Sequence, residues 1–316
     1  MNEDEKIKAL IKKIESERER AKDDLHSDEG LLRLQEVASR YDGEYRLVWS
    51  DALQAEIEAR PKKAMHMTGI ECIDNLLGGL REQMLVGVGA HSGHGKTAMG
   101  LYLLKKYEYL NPVMIPIEQS NEELIEQRLA NGQFIPKFLS PEKHAGRVQT
   151  EWIEERVVEG IAKYNTKMVV IDHLGYVDPD KKHERDPEPL RIERKLQEIK
   201  IIAKRWNVII VVLIHITQLD EGTPPSLLNL KGSSAIRQEC DKVILLWRKN
   251  AMKGKVRIYE NETLFSLQKN RWSGKNGNVG LLFDFQTGNY LESNGWVKAM
   301  EDSARAELQA DYDFER

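Results

Sequence analysis

Residues 84–97 read Met84-Leu85-Val86-Gly87-Val88-Gly89-Ala90-His91-Ser92-Gly93-His94-Gly95-Lys96-Thr97: an apolar run, a glycine-rich turn, and the first residues of a helical pattern. A buried strand carries such a turn to the carboxyl edge of a sheet. Gly93 and Gly95 let the backbone fold so that successive N–H groups point inward, and the helix behind adds a field that favours an anion. Lys96 would then reach the β and γ phosphates of a nucleoside triphosphate, and the Thr97 hydroxyl would ligate Mg2+. The nucleotide contacts are accordingly assigned to Ser92, Gly93, His94, Gly95, Lys96 and Thr97. Ala90 stands where the usual pattern has its first glycine, and the strand before it and the helix after it supply the context. A chance glycine-rich strand-to-helix turn is the competing reading.

Outward from this turn, short apolar runs alternate with helical patterns. The runs are Val113–Ile117, Met168–Asp172, Val208–Ile214 and Lys242–Leu246; the helical patterns cover Thr97–Leu110, Asn121–Gly132, Thr150–Tyr164 and Pro189–Trp206. Continuous apolar strands separated by amphipathic helices predict an α/β fold, a mostly parallel sheet covered on both faces. Two later runs, Leu264–Lys269 and Val279–Phe285, flank Asn270-Arg271-Trp272-Ser273-Gly274-Lys275-Asn276-Gly277 and predict an antiparallel hairpin at the sheet edge.

Strand ends in such a sheet are where chemistry gathers. Asp172 closes Met168-Val169-Val170-Ile171-Asp172, as a carboxylate must to meet Mg2+ beside Thr97. Glu118 closes the run before it, and either polarises an attacking water or caps the next helix beside Ser120. His215 follows the most apolar strand, and either senses the γ phosphate or is a satisfied core residue. The segment Ile216–Arg237 has almost no periodicity and contains Lys231-Gly232-Ser233-Ser234, small hydroxyls and backbone donors around a cation that suit the phosphates of a passing nucleic-acid strand. An ordinary mobile loop fits the same residues.

The 316 residues suffice for one large domain and an appendage. The two cysteines, Cys72 and Cys240, form no CxxC pair, which excludes a disulfide framework or zinc module and fits a reducing, cytoplasmic setting. The acidic start Met1-Asn2-Glu3-Asp4-Glu5 lacks an apolar signal region, and no run is long enough for a membrane span. The formal net charge of −4 argues at first against a nucleic-acid partner, but residues 301–316 hold six acids against Arg305 and Arg316, so the remainder is balanced and can line one channel with cations. That tail also carries Tyr312 and Phe314. At the other end, Ile7, Leu10, Ile11 and Ile14 form one apolar helical stripe that packs on its own domain or on a partner. A second helical patch, Ser50–Arg60 with Ser50 as N-cap, ends before the linker Pro61-Lys62-Lys63.

The motifs, their order and their spacing resemble those of the superfamily-4 ring helicases: the DnaB-type replicative helicases, mitochondrial Twinkle, and most closely the helicase half of bacteriophage helicase-primases. The resemblance covers about residues 65–292. It rests on the phosphate loop, Ile117-Glu118, Ile171-Asp172-His173, Leu213-Ile214-His215, the run Leu230-Lys231-Gly232-Ser233-Ser234-Ala235-Ile236-Arg237-Gln238 with Asp241, and Gln268-Lys269-Asn270-Arg271-Trp272-Ser273-Gly274. It implies a RecA-like P-loop NTPase core over 65–292, which leaves the helical segment over 1–64 and the acidic tail over 293–316 outside it. It further implies that Glu118 is the catalytic glutamate and His215 the phosphate sensor. Lys231 and Gly232 would touch single-stranded DNA in a central channel, Arg271 would be an arginine finger for the neighbouring subunit, and Arg248 and Phe285 would sandwich the base. DnaB-type proteins have a glutamine in the sensor segment, where this chain has His215 and then Gln218.

The expected activity is Mg2+-dependent hydrolysis of ATP or another NTP or dNTP by a homo-hexamer that moves along single-stranded DNA and unwinds forked DNA, with 5′ to 3′ polarity implied by the resemblance. The 64 residues before Met65, without CxxC, predict a helicase lacking a primase half. The acidic tail resembles the aromatic-ended tails with which phage helicases recruit their polymerase, or is a solvated disordered end; the N-terminal segment would recruit a primase or loader, in the cytoplasm or in a host's cytoplasm. A recombinase or a KaiC-like regulator built on the same core is the alternative.

Overall fold

A computed structural model describes residues 12, 47–183, 185–216, 222–230, 232–293 and 295–302. The stripe Ile7–Ile14, Gln218, Lys231 and residues 303–316 lie outside the described residues. The chain divides into two compact units, residues 1–62 and 63–316. The described part of the first is chiefly α1 (Ser50–Ala59), all of it exposed. Ser50 is its first residue and not its cap: Trp49 holds that position, and no side chain caps the helix.

In the second unit the elements follow as α2 (Glu71–Leu77), β1 (Leu85–Ala90), α3 (Lys96–Lys106), β2 (Val113–Pro116), α4 (Asn121–Ala130), β3 (Val148–Gln149), α5 (Thr150–Tyr164), β4 (Met168–Asp172), β5 (Val177–Asp178), α6 (Glu188–Arg205), β6 (Ile209–His215), α7 (Ser233–Glu239), β7 (Lys242–Lys253), β8 (Val256–Asn270), β9 (Gly277–Asp284) and β10 (Asn289–Glu292). Eight strands form one sheet in the order β10-β9-β8-β7-β1-β6-β4-β2; β3 and β5 pair separately. Within the eight-stranded sheet the contacts β7-β1-β6-β4-β2 are parallel and the others antiparallel.

The parallel strands β1, β2, β4 and β6 are apolar up to their ends because each face meets its own layer. Ile209, Val211 and Leu213 of β6 join one core with Met99, Leu103 and Leu104 of α3; Ile210, Val212 and Ile214 join a second core with Ile153 and Val157 of α5 and Leu196 and Ile199 of α6. Adjacent side chains on a strand point to opposite faces, so a run without a polar break is the pattern of a sheet covered on both sides.

Four features differ from the sequence reading. β7 continues to Lys253 and forms its own hairpin with β8, turning at Gly254. The far half of that ribbon is exposed and carries Lys249 on Glu260 and Glu262 at 2.9 Å, so no apolar periodicity marks it. The β8–β9 hairpin is not outermost, because β10 adds a further strand. The segment read as a structureless loop ends in α7, whose seven residues bury only Ala235 and Ile236, too few for a visible period. Finally, residues 295–302, read as the start of a tail, are helical, and Val297 packs with Trp247 and Leu264.

That last contact is tight. A Cβ on Gly280 of β9 would fall 2.0 Å from the Ser293 carbonyl oxygen and 2.9 Å from Trp296 Nε1. Gly280→Ala should therefore destabilise this edge by about 1–3 kcal/mol, the usual cost of overpacking. A melting scan should show Tm lower by about 2–10 °C; an unchanged Tm would mean that the Ser293 backbone moves aside freely.

Candidate functional site

Four neighbouring strands each bring one group to the same edge. β1 ends at Ala90 and leads into the phosphate loop; β6, paired with it, ends at His215 opposite Ala90; β4 ends at Asp172; and β2, whose Pro116 lies opposite Asp172, leads to Glu118. The β2–β4 ladder runs on past the strand end, since Ile117 and Glu118 both donate their N–H to the Asp172 carbonyl, at 2.7 and 3.1 Å. Glu118 is thereby fixed by the backbone. It does not cap α4: Ser120 and Glu123 form a capping box between themselves.

In the loop, Gly93 and Gly95 adopt φ of +77° and +90°, which L side chains rarely reach, and Gly95 leads directly into α3. Lys96 is buried and its Nζ donates to the His91 carbonyl at 3.2 Å. Thr97 Oγ1 donates to Asp172 Oδ2 at 2.7 Å. Among the described residues, Asp172 Oδ1 is buried and finds no hydrogen-bond partner.

Burial pushes the Asp172 carboxyl up to about 6 against the pull of the Thr97 hydrogen bond. It brings Lys96 down to about 8, against the carboxylates of Asp172 and Glu118. Both groups thus lack solvation for the charges they carry. A hydroxyl and a half-satisfied carboxylate side by side, facing a buried cation, are the donor set that Mg2+ and a phosphate chain complete, so the residues present fit the metal.

The groove over these groups is an open cleft of about 860 Å³. Ser92, Gly93, Gly95, Lys96, Thr97, Glu118, His215, Arg248 and Phe285 all line it. The Arg248 guanidinium lies 5.5 Å from the Phe285 ring centroid, and its Nε donates to the Glu260 carbonyl at 2.7 Å. Among the lining residues that escaped the sequence reading are Tyr290 and Arg128. Tyr290 of β10 is a buried ring packed edge-on against Tyr102, and Arg128 of α4 lines the same cleft. No motif signals either one; only the added strand puts Tyr290 there.

The His94 side chain is fully buried, accepts the Arg248 N–H on Nδ1 at 2.9 Å and packs edge-on against Tyr259, while its backbone N–H donates to the His91 carbonyl. It braces β7 against the loop and does not face the cleft. Arg271 is not brought to the cleft of its own chain. It is half-exposed, its N–H donates to the Asp241 carbonyl at 2.8 Å, its guanidinium lies 3.6 Å from Asp241 Oδ1, and it also donates to the Gln238 carbonyl. Gly232 precedes α7 with φ of +75°, and a Cβ there would lie 2.5 Å from Ile192 Cγ2.

With this arrangement in view, residues 141–292 match the family described as the DnaB-like helicase C terminal domain. The chain is similar to DnaB-like helicases over this stretch. It is 26% identical over 247 residues to the replicative DNA helicase DnaB of Treponema pallidum (strain Nichols), an alignment that covers 68% of this chain and 53% of that protein. It is 29% identical over 137 residues to the DNA helicase/primase of Enterobacteria phage T3, covering 42% of this chain and 22% of that protein. The chain spans about half the length of the curated DnaB relatives it matches first. A solved DnaB-like replicative helicase, described with its interactions with primase, has the same fold, with a TM-score of 0.62 at 17% identity over 90% of this chain and 76% of that one. The mixed α/β core with a mostly parallel sheet therefore shares its fold with that helicase structure. Among the described residues no helix is long and apolar enough to cross a membrane.

Proposed function

We infer that this chain is the motor of an NTP-driven replicative DNA helicase: a homo-hexamer that hydrolyses ATP or another NTP or dNTP with Mg2+, moves along single-stranded DNA, and unwinds forked duplex. The observation that carries this reading is the row Lys96, His215, Asp172 and Glu118 on four adjacent strand ends, in a chain similar to DnaB-like helicases. The 5′ to 3′ polarity, and work in the cytoplasm or a host's cytoplasm, follow from the resemblance.

The chemistry is phosphoryl transfer to water, in which positioning and charge stabilisation do most of the work. Lys96 neutralises the phosphates from the loop side. Thr97 and Asp172 would hold Mg2+, which when bound spreads the charge of the β and γ phosphates. Glu118 orients the water and accepts its proton, and His215 meets the γ-phosphate side of the cleft at the start of the segment leading to Gly232. Arg271 completes the site of the next subunit. The base lies between Arg248 and Phe285. Phe285→Ala should therefore raise the KM for the nucleotide about tenfold at nearly constant kcat, since stacking on an aromatic ring is typically worth about 1–3 kcal/mol; an unchanged KM in steady-state assays would place the base elsewhere.

The acidic tail would bind a basic replication partner such as a DNA polymerase, and residues 1–64 a primase or loader. The decisive test of the whole reading is unwinding of a fluorophore-labelled fork by the wild-type chain with each of several triphosphates, paired with negative-stain images. Strand separation by closed six-fold rings is expected. Long filaments, or nucleotide hydrolysis without unwinding, would favour the recombinase or KaiC-like regulator.

A further inference from the structure

Two histidines converge on the Glu118 carboxylate. His173 Nε2 and His215 Nε2 each lie 3.5 Å from Glu118 Oε2, with the rings edge to face at 4.1 Å. Three ligand-type atoms this close together have the outline of a metal site. The hydrogen bonding of His173 argues against that use. Gly175 donates its N–H to His173 Nδ1 at 2.9 Å. An accepting Nδ1 holds a lone pair, so the proton of the neutral ring sits on Nε2. A metal on Nε2 would send that proton to Nδ1, where it would face the Gly175 N–H donor to donor.

The ring is held in this state from several sides. His173 is buried, and Tyr176 packs edge-on at 4.9 Å. A Cβ at position 175 would fall 2.4 Å from His173 Cε1 and 2.8 Å from Nδ1, so only glycine leaves room for the ring. His173 lines a smaller cavity of about 150 Å³, which shares His215 with the nucleotide cleft, and does not line the cleft itself. Its polar contact in the cleft is Glu118 Oε2, and its ring packs on His215.

We propose that His173 is a positioning residue: the proton that Gly175 confines to Nε2 is donated to the Glu118 carboxylate and holds it where it receives the attacking water's proton. The distance of 3.5 Å is long for a hydrogen bond, as catalytic contacts often are before substrate tightens them. This role rests on the NTPase reading above and adds to it the residue that aims the base.

The test compares His173→Phe, His173→Gln and Gly175→Ala with wild type in DNA-stimulated hydrolysis and in binding of a fluorescent nucleotide. His173→Phe should lower kcat about 10- to 100-fold, the usual loss when an outer partner that orients a reactive group is removed, with KM and nucleotide binding unchanged. His173→Gln, whose side-chain amide restores an N–H near the same place, should recover most of the rate. Gly175→Ala, which displaces the ring, should behave like His173→Phe. Equal losses in the Phe and Gln variants, or a change in KM instead of kcat, would overturn the proposal. So would stoichiometric Zn2+ binding in calorimetry that His173→Phe abolishes.

A measurement free of turnover separates this proposal from the function it rests on. In ¹⁵N-histidine spectra, the signal lost in His173→Gln should have the Nε2–H tautomer and should move in Glu118→Gln. An Nδ1–H tautomer, or no response to Glu118→Gln, sinks the proposal even in an active enzyme. Wild-type chain inert toward every triphosphate, with this signal present, sinks the NTPase reading and leaves the contact standing.

Discussion

Lys96→Ala is expected to abolish hydrolysis while leaving the fold intact. Lys96 is the buried cation of the phosphate loop, with Nζ on the His91 carbonyl and no side chain of opposite charge in contact among its hydrogen bonds. Removing it relieves a desolvated charge, so folding loses little. The phosphates, however, lose the one mobile positive group among otherwise backbone donors. The measurement is DNA-stimulated turnover beside a melting scan. Near-normal turnover in a folded variant would remove the site assignment altogether.

Arg271→Ala should retain nucleotide binding and assembly yet hydrolyse about 10³- to 10⁵-fold more slowly, the range associated with an arginine finger. A solvated surface arginine would change almost nothing. The geometry fits action on a second chain. Arg271 follows β8, is half-exposed, and is anchored at its backbone by Asp241, which itself accepts from the Leu85 N–H at 2.7 Å and pairs with Lys200. The residue is steady at its root and absent from its own cleft. Mixing sharpens the outcome, because a Lys96→Ala subunit keeps its finger and an Arg271→Ala subunit keeps its phosphate loop. Co-assembled mixtures should regain part of the activity; mixtures that stay dead at every ratio, with co-assembly shown, would count against a shared site.

The parts of this architecture that could be read from sequence are those where burial writes itself into composition. β4 and β6 have no polar residue until Asp172 and His215, so the residue that ends each run also marks the sheet edge. The β7–β8 ribbon escaped because its outer half is stabilised by exposed charge pairs, which leave no apolar period. α7 escaped because two buried residues cannot define a face.

The same contrast holds in the site. Lys96, Thr97, Asp172 and Glu118 announce themselves by position relative to strands and glycines. That the His94 side chain turns onto the Arg248 backbone was not legible, because a phosphate-loop pattern specifies backbone path and says little about which way an intervening side chain turns. His173 stood inside a quoted motif without a role. Its function depends on how close the Gly175 backbone comes to its ring, a distance of the folded chain that no spacing encodes.

The two borders of the eight-stranded sheet bear on how copies of this chain can meet. On one border β2 is covered by residue Leu139, which accepts the Met114 N–H at 2.7 Å and donates to the Pro112 carbonyl at 2.9 Å. On the other border β10 is only four residues long. A covered border and a short one are the means by which proteins avoid templating further strands. Association between copies is thus steered away from a continuous ladder of backbone bonds, which once formed is slow to part, and toward side-chain contacts. Joints of that kind can slip and reseat many times without unzipping either partner.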